Sequence, residues 1–118
     1  MIQFSFDITE KDNVVIFHFK GSLMESDNGT LLLAAADDYI KKGKTNFVLC
    51  LSDFVYMTSS GLSIIINMLT RARKNNGDAV ICSINSKTDE VLAITKLNNV
   101  FKVFADADEA VNYFKQTI

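Results

Sequence analysis

Three consecutive hydroxyl residues, Thr58, Ser59 and Ser60, are the part of the sequence best suited to regulated chemistry. They precede Gly61 and an apolar segment with helical periodicity that starts at Leu62. At a helix start, a serine or threonine oxygen can accept a hydrogen bond from an unpaired backbone NH group. The same hydroxyl can carry a phosphate, which adds about −1.5 to −2 charges. The residues therefore allow two interpretations, a structural helix cap or a phosphorylation site.

The helix that follows predicts an interface beside these hydroxyls. At 3.6 residues per turn, one inward stripe is formed by Leu62, Ile65, Ile66 and Leu69. Ile64 projects roughly opposite this stripe and Met68 to one side, so we expect both to lie outside the main core. With Gly61 they would form an apolar patch next to polar groups, which is typical of a protein interface. Packing against the terminal helix is the alternative.

The elements that position this site begin with a hairpin. Two alternating patterns predict half-buried strands, with apolar positions at Phe4, Phe6 and Ile8 and then at Val15, Phe17 and Phe19. The polar segment Glu10 to Asn13 between them is short enough for an antiparallel pair. A first helix then spans Ser26 to Lys42 and ends at Gly43. Its apolar residues at helical spacing are Leu31, Leu32, Ala35, Tyr39 and Ile40.

Alternating strands and helices follow. Phe47 to Leu51 is continuously apolar, as in a central strand covered on both faces, and a loop from Ser52 to Ser60 is expected after it. The remaining predicted elements are a helix over Leu62 to Asn75, a strand over Ala79 to Ser83, a short helix over Thr88 to Lys96, a strand over Val100 to Phe104 and a terminal helix over Ala107 to Gln116.

The terminal helix has the clearest start signal. Asp106 is its predicted N-cap, Glu109 completes a capping box, and Ala110, Val111 and Phe114 face inward. We therefore predict one α/β domain over residues 1–118. A mixed β-sheet is opened by an N-terminal antiparallel hairpin and has about four helices packed on it.

Composition and charge narrow the function classes. The net charge of −2 lacks the basic excess that nucleic-acid binding requires. The apolar stretches are too short for a membrane helix, and the early charges between Asp7 and Asp12 predict no signal peptide. Cys50 and Cys82 are expected to be reduced, buried thiols of a cytoplasmic protein. His18 is the only histidine, so neither a metal site, a cofactor nor an enzymatic triad is predicted.

The sequence resembles the STAS family, named for sulfate transporters and anti-sigma factor antagonists, and in particular its small stand-alone bacterial members. The match rests on Phe19 to Leu23, on Phe47 to Asp53, and on Met57 to Leu62. The family motif commonly reads D-S-[ST]-G-[LI], so Ser59 corresponds to the phosphorylated serine. Thr58 stands where many antagonists have aspartate, which leaves Thr58 and Ser60 as alternative acceptors.

This resemblance implies an anti-sigma factor antagonist. Its partner would be an anti-sigma factor with serine kinase activity, and a metal-dependent serine phosphatase would reverse the modification. Phosphorylation would switch the antagonist off. The partner-binding residues would be Ser22, Met57, Thr58, Ser60, Gly61, Leu62, Ile64 and Met68.

The sequence is also compatible with other functions. A second possibility within the family is a small cytosolic subunit that docks on the ATPase of an ABC-type lipid transporter. A response-regulator receiver with Asp53 as acceptor fits poorly, because a hairpin start conflicts with an all-parallel sheet. The Thr-Ser-Ser-Gly turn could cradle a phosphate-bearing ligand, although no GxxxxGK[ST] or GxGxxG motif supports a nucleotide site.

Overall fold

An antiparallel hairpin begins the fold in the computed structural model. The structure describes residues 5–23, 27–57, 59–84, 90 and 101–116. For residues 22, 23, 27, 28, 53–57, 59–62 and 116 it describes the backbone and not the side chain. The hairpin joins β1 (Ser5–Lys11) to β2 (Val14–Leu23). Asp12 and Asn13 make the turn with φ angles of 54° and 68°. Asp and Asn tolerate this left-handed region better than most residues, and a type I′ turn requires it at both central positions. The predicted hairpin is confirmed.

Three further strands complete a five-stranded mixed sheet. They are β3 (Asn46–Met57), β4 (Asp78–Cys82) and β5 (Val103–Phe104). The spatial order is β1-β2-β3-β4-β5, with every pair after the hairpin parallel. This confirms the predicted mixed sheet, although β5 begins three residues later than expected.

Helices cover both faces of the sheet. The helices α1 (Asp27–Lys41) and α2 (Ser59–Lys74) pack on one face, and α3 (Ala107–Gln116) packs on the other. Sequential parallel strands joined by right-handed crossovers place α1 and α2 on the same side. The described residues thus contain three helices rather than about four, since the predicted helix Thr88 to Lys96 lies outside them except for Glu90. No helix in these ranges is both long enough and apolar enough for a membrane crossing.

The central strand explains the two separate apolar clusters. On β3, Phe47, Leu49 and Leu51 face α1 and α2, whereas Val48 and Cys50 face α3. All five residues are at most 7% exposed, as predicted for a strand covered on both sides. Phe47 also packs edge-on against Phe17 of β2, with ring centroids 5.5 Å apart. Such alternation anchors the middle of the sheet between the helix layers.

One residue of α1 departs from its expected role. Leu32 and Ala36 are fully buried, but Leu31 is 60% exposed. Successive helical residues are rotated by about 100°, so the side chains of the three consecutive leucines at 31–33 cannot all face the sheet. Leu31 therefore adds an apolar side chain to the surface of α1.

The start of α3 confirms the predicted N-cap. The backbone NH of Glu109 donates to Asp106 Oδ1 at 2.9 Å, and the NH of Ala105 donates to Glu109 Oε2 at 3.0 Å. A standard capping box would use the NH of Asp106 itself, so the reciprocal bond is displaced by one residue. The inward positions Ala110, Val111 and Phe114 are buried as predicted.

Loss of this cap should measurably weaken the domain. We expect Asp106→Ala to lower the free energy of unfolding by about 1 kcal/mol, because the NH of Glu109 loses its acceptor. Asp106→Asn keeps a side-chain oxygen and serves as the matched control. Urea unfolding of the three proteins measures the difference. Equal losses in both variants would show that the carboxylate charge, and not the capping bond, is what stabilises the helix start.

Candidate functional site

The segment before the hydroxyl residues is a strand and not the predicted loop. β3 continues to Met57, and α2 begins at Ser59, so a single residue separates the two elements. The prediction of a loop over Ser52 to Ser60 is therefore wrong. The segment begins with the polar residues Ser52 and Asp53, which suggests a chain that leaves the sheet. Pairing with β2 nevertheless keeps the segment within the sheet.

Irregular pairing shapes the outer half of β3. The partners change from His18 with Cys50 to Lys20 with Asp53, so β3 has an extra residue there. A second extra residue lies before Tyr56, which pairs with Ser22. On the facing strand, Gly21 has a φ of 80°, a conformation that a residue without a Cβ adopts readily. Such bulges bend a strand and are frequent beside functional sites.

This pairing brings two separated parts of the predicted site together. Ser22 is the register partner of Tyr56, and Leu23 is the partner of Met57. The carboxyl ends of β2 and β3 therefore meet at one edge of the sheet, where α2 also begins. Of the predicted partner-binding residues, Ser22, Met57, Ser60, Gly61 and Leu62 lie at this edge. Thr58 falls outside the described residues.

Ser59 is the first residue of α2, at the position where helix capping and anion binding both occur. The first NH groups of an α-helix lack intrahelical partners, and the helix dipole makes this end positive. α2 has no acidic residue in its first turn, whereas Arg71, Arg73 and Lys74 occupy its last turn. The cations complement the negative end of the dipole. At the positive, amino-terminal end of α2, no carboxylate in the first turn complements the dipole.

The two apolar residues expected outside the core prove to be packed. Met68 is fully buried among the side chains between the sheet and the helices α1 and α2, so its predicted exposure is wrong. It also does not pack on the terminal helix, which covers the opposite face. Ile64 is half-buried against the same cluster. Helix α1 covers this second side of α2, next to the side that faces the sheet. The periodicity of α2 by itself does not reveal a neighbouring helix.

Close contact between α1 and α2 explains the position of Ile64. Gly29 lies so near that a Cβ atom there would stand 2.2 Å from Ile64 Cδ1. Further along the pair, Arg71 of α2 forms an ion pair with Asp37 of α1. The first turn of α1 therefore packs against the second turn of α2, one turn beyond Ser59.

The sequence model of the STAS domain family matches residues 5–110. The chain belongs to the STAS domain family. This match covers the sheet, α1, α2 and the start of α3. The family resemblance inferred from the motif around Ser59 is thereby confirmed.

This STAS domain is similar to proteins that are named as anti-sigma factor antagonists. A protein of Thermotoga maritima named as a candidate anti-sigma factor antagonist is 31% identical over 75 residues, which are 64% of this chain and 66%, just under two thirds, of the relative. The crystal structure of a candidate anti-sigma factor antagonist from Thermotoga maritima superposes with a TM-score of 0.83 at 28% identity, over 92% of each chain.

A more distant structure shares the fold of this STAS domain. The Bacillus cell fate determinant SpoIIAA in its phosphorylated form aligns with a TM-score of 0.74 over 93% of this chain and 99% of its own. Its sequence identity of 16% is evidence for the fold alone.

The exposed Leu31 is a surface feature of this STAS domain that periodicity did not predict. It lies two residues after Gly29, the residue that contacts Ile64. The run of three leucines at 31–33 was the available signal, because a helix cannot turn three adjacent side chains toward one face. On α2, Ser63 is exposed as well.

Proposed function

We propose that this STAS domain is an anti-sigma factor antagonist that binds an anti-sigma factor with serine kinase activity and is switched off by phosphorylation of Ser59. The observation that carries the proposal is the position of Ser59, the first residue of α2, one residue beyond the end of β3. The names of the relatives with similar sequence and structure support the general role. The protein would act in the cytoplasm, where the sigma factor and ATP are found.

The proposed docking surface is the sheet edge around Ser59. It comprises Ser22, Met57, Thr58, Ser60, Gly61 and Leu62, with Ile64 at its margin. Met68 is not part of it, because its side chain is fully buried. The backbone of Ser22 and Met57 belongs to strand ends, and that of Ser60, Gly61 and Leu62 belongs to the first turn of α2. This part of the surface is therefore positioned before the partner arrives.

Electrostatics explain how phosphorylation would act at this surface. Within the domain, the positive end of the α2 dipole tolerates a phosphate, so the fold should survive the modification. In the complex, the same phosphate would bring about −1.5 to −2 charges into an interface formed with a neutral serine. The partner would then have to cover an unpaired charge, which costs far more than covering a hydroxyl.

Thr58 changes the environment of the proposed acceptor. A threonine has no negative charge, so an approaching ATP phosphate meets less repulsion here than beside an aspartate. A kinase that reads this aspartate would lose one contact. We propose that Ser59 remains the acceptor, and that a metal-dependent serine phosphatase restores the active form.

Phosphate transfer to Ser59 is the direct test. Incubation with ATP and the anti-sigma kinase encoded nearby should add one phosphate to the wild-type protein, and mass spectrometry of its peptides should place it on Ser59. The Ser59→Ala variant should remain unmodified. Ser63→Ala is the matched control, since Ser63 is exposed one turn later in the same helix, and it should be labelled like the wild type. Label on Thr58 or Ser60 in Ser59→Ala would contradict the assignment.

A further inference from the structure

The two cysteines of the chain lie side by side on neighbouring strands. Cys50 of β3 and Cys82 of β4 are direct register partners in the parallel part of the sheet. Both belong to the apolar cluster beneath α3, on the face opposite α1 and α2. Because the two residues are register partners in the same cluster, their side chains lie on the same face of the sheet. The sequence separation of the two residues conceals this pairing entirely.

We propose that Cys50 and Cys82 form an oxidisable dithiol site, in which Cys50 reacts first with a hydroperoxide and Cys82 then closes a disulfide between β3 and β4. Neighbouring strands lie about 4.8 Å apart. This spacing falls within the roughly 4.4–6.8 Å that separates the Cα atoms of disulfide-bonded cysteines. The strand pairing thus already places the two Cα atoms at a separation that a disulfide bond can span.

The two thiols have different environments, which assigns their roles. Cys50 retains 7% of its surface exposed, and its Sγ lies 3.6 Å from the Oγ of the exposed Ser52. Cys82 is fully buried. A small oxidant can therefore reach Cys50 from the side of Ser52, whereas the Cys82 side chain has no exposed surface.

Hydrogen bonding favours the same order of reaction. Pairing with the Cys82 thiol lowers the pKa of the Cys50 thiol below its usual value against the opposing effect of burial, and hydrogen bonding with Ser52 and Ser83 lowers it further. The same pairing raises the pKa of Cys82, together with its burial and the nearby negative charge of Asp106. The thiolate is the reactive form of cysteine, so Cys50 is the nucleophile of the first step. Cys82 remains protonated until it attacks the oxidised Cys50.

The chemistry balances in two steps. The Cys50 sulfur attacks one oxygen of hydrogen peroxide, the O–O bond breaks, one water leaves and Cys50 becomes a sulfenic acid. The Cys82 sulfur then attacks the Cys50 sulfur, the S–O bond breaks, and a second water leaves with the Cys82 proton. Two thiols are oxidised to one disulfide while one peroxide is reduced to two waters. Residues 51–81, which include Ser59 and all of α2, would be enclosed by the new bond.

Peroxide treatment of the folded protein tests the site. After treatment with hydrogen peroxide and alkylation of the remaining thiols, the wild type should lose both thiols and become lighter by two hydrogens. Peptide mapping should find Cys50 linked to Cys82 within one chain. In Cys82→Ser, Cys50 should stop at the sulfenic acid and react with dimedone. In Cys50→Ser, the Cys82 thiol should survive the treatment.

Folding of the variants is checked by circular dichroism, and Cys50→Ala and Cys82→Ala replace the serine variants if a buried hydroxyl prevents folding. Retention of both thiols in the folded wild type would overturn the proposal. Oxidation of Cys82 in the absence of Cys50 would overturn it as well, and so would a disulfide that forms only between chains. The outcome is independent of the role of Ser59, because no kinase or partner takes part.

Discussion

The Ser59→Asp substitution is expected to weaken binding to the anti-sigma factor by about 100-fold while leaving the domain folded. Its carboxylate places a permanent charge at the first residue of α2, in the middle of the proposed docking surface. The helix end accepts this charge in the free protein, where a carboxylate contributes about 0.3–1 kcal/mol of stability. Only the complex has to desolvate it. Isothermal titration calorimetry at fixed salt concentration measures the difference in affinity.

Matched variants separate the effect of charge from that of side-chain size. Ser59→Asn has nearly the same shape as Ser59→Asp but no charge, and we expect it to retain most of the affinity. Ser63→Asp places the same charge one turn further along α2, at an exposed position. If Ser59→Asp bound the partner as tightly as the wild type does, a phosphate-operated switch at this residue would be ruled out. Equal losses for Asp and Asn at position 59 would assign the effect to shape.

The largest effect on stability is expected for Gly77→Ala, which should lower the free energy of unfolding by about 3 kcal/mol. A Cβ atom at Gly77 would stand 1.9 Å from the carbonyl oxygen of Thr45 and 2.5 Å from its carbonyl carbon. These are backbone atoms, and they cannot move aside as a flexible side chain can. The Thr45 carbonyl also accepts the NH of Asp78 at 3.2 Å, at the start of β4. Denaturant unfolding followed by circular dichroism measures the loss.

Gly43→Asn is the control for this prediction. Gly43 follows α1 with a φ of 84°, and a Cβ atom there would have no neighbour within 4 Å. Asparagine tolerates the left-handed conformation better than most residues, so the cost should stay below about 1 kcal/mol. A similar loss in both variants would mean that backbone freedom, and not the close approach to Thr45, explains the need for glycine at position 77.

Local signals predicted most of the fold. The alternation around Phe17, the continuous apolar run at Phe47 to Leu51 and the cap at Asp106 each specify an element within a short window. The extension of β3 to Met57 depends on pairing with β2, a partner more than 30 residues away along the chain. A polar segment such as Ser52-Asp53 has the composition of a loop, and only this pairing keeps it in the sheet.

The candidate site was predictable to a lesser degree. Hydroxyl residues at a helix start indicate a cap or a modification site equally well, and the family motif selects Ser59 between these options. Burial of Met68 could not be predicted, because periodicity identifies the stripe that faces the sheet but not the side of α2 that α1 covers. The cysteine pair was equally hidden, since the register of β3 and β4 places Cys50 beside Cys82.

The single residue between β3 and α2 has a consequence for how quickly and how faithfully a signal could be transmitted. A serine on a long loop could swing away when modified, and the partner would have to wait for the loop to return. The backbone of Ser59 has no such freedom to move, because a paired strand ends two residues before it and a packed helix starts with it. Free and bound forms should therefore superpose closely, and association should follow rigid-body kinetics. Information would be stored in the charge of one side chain, with no need for a change of shape.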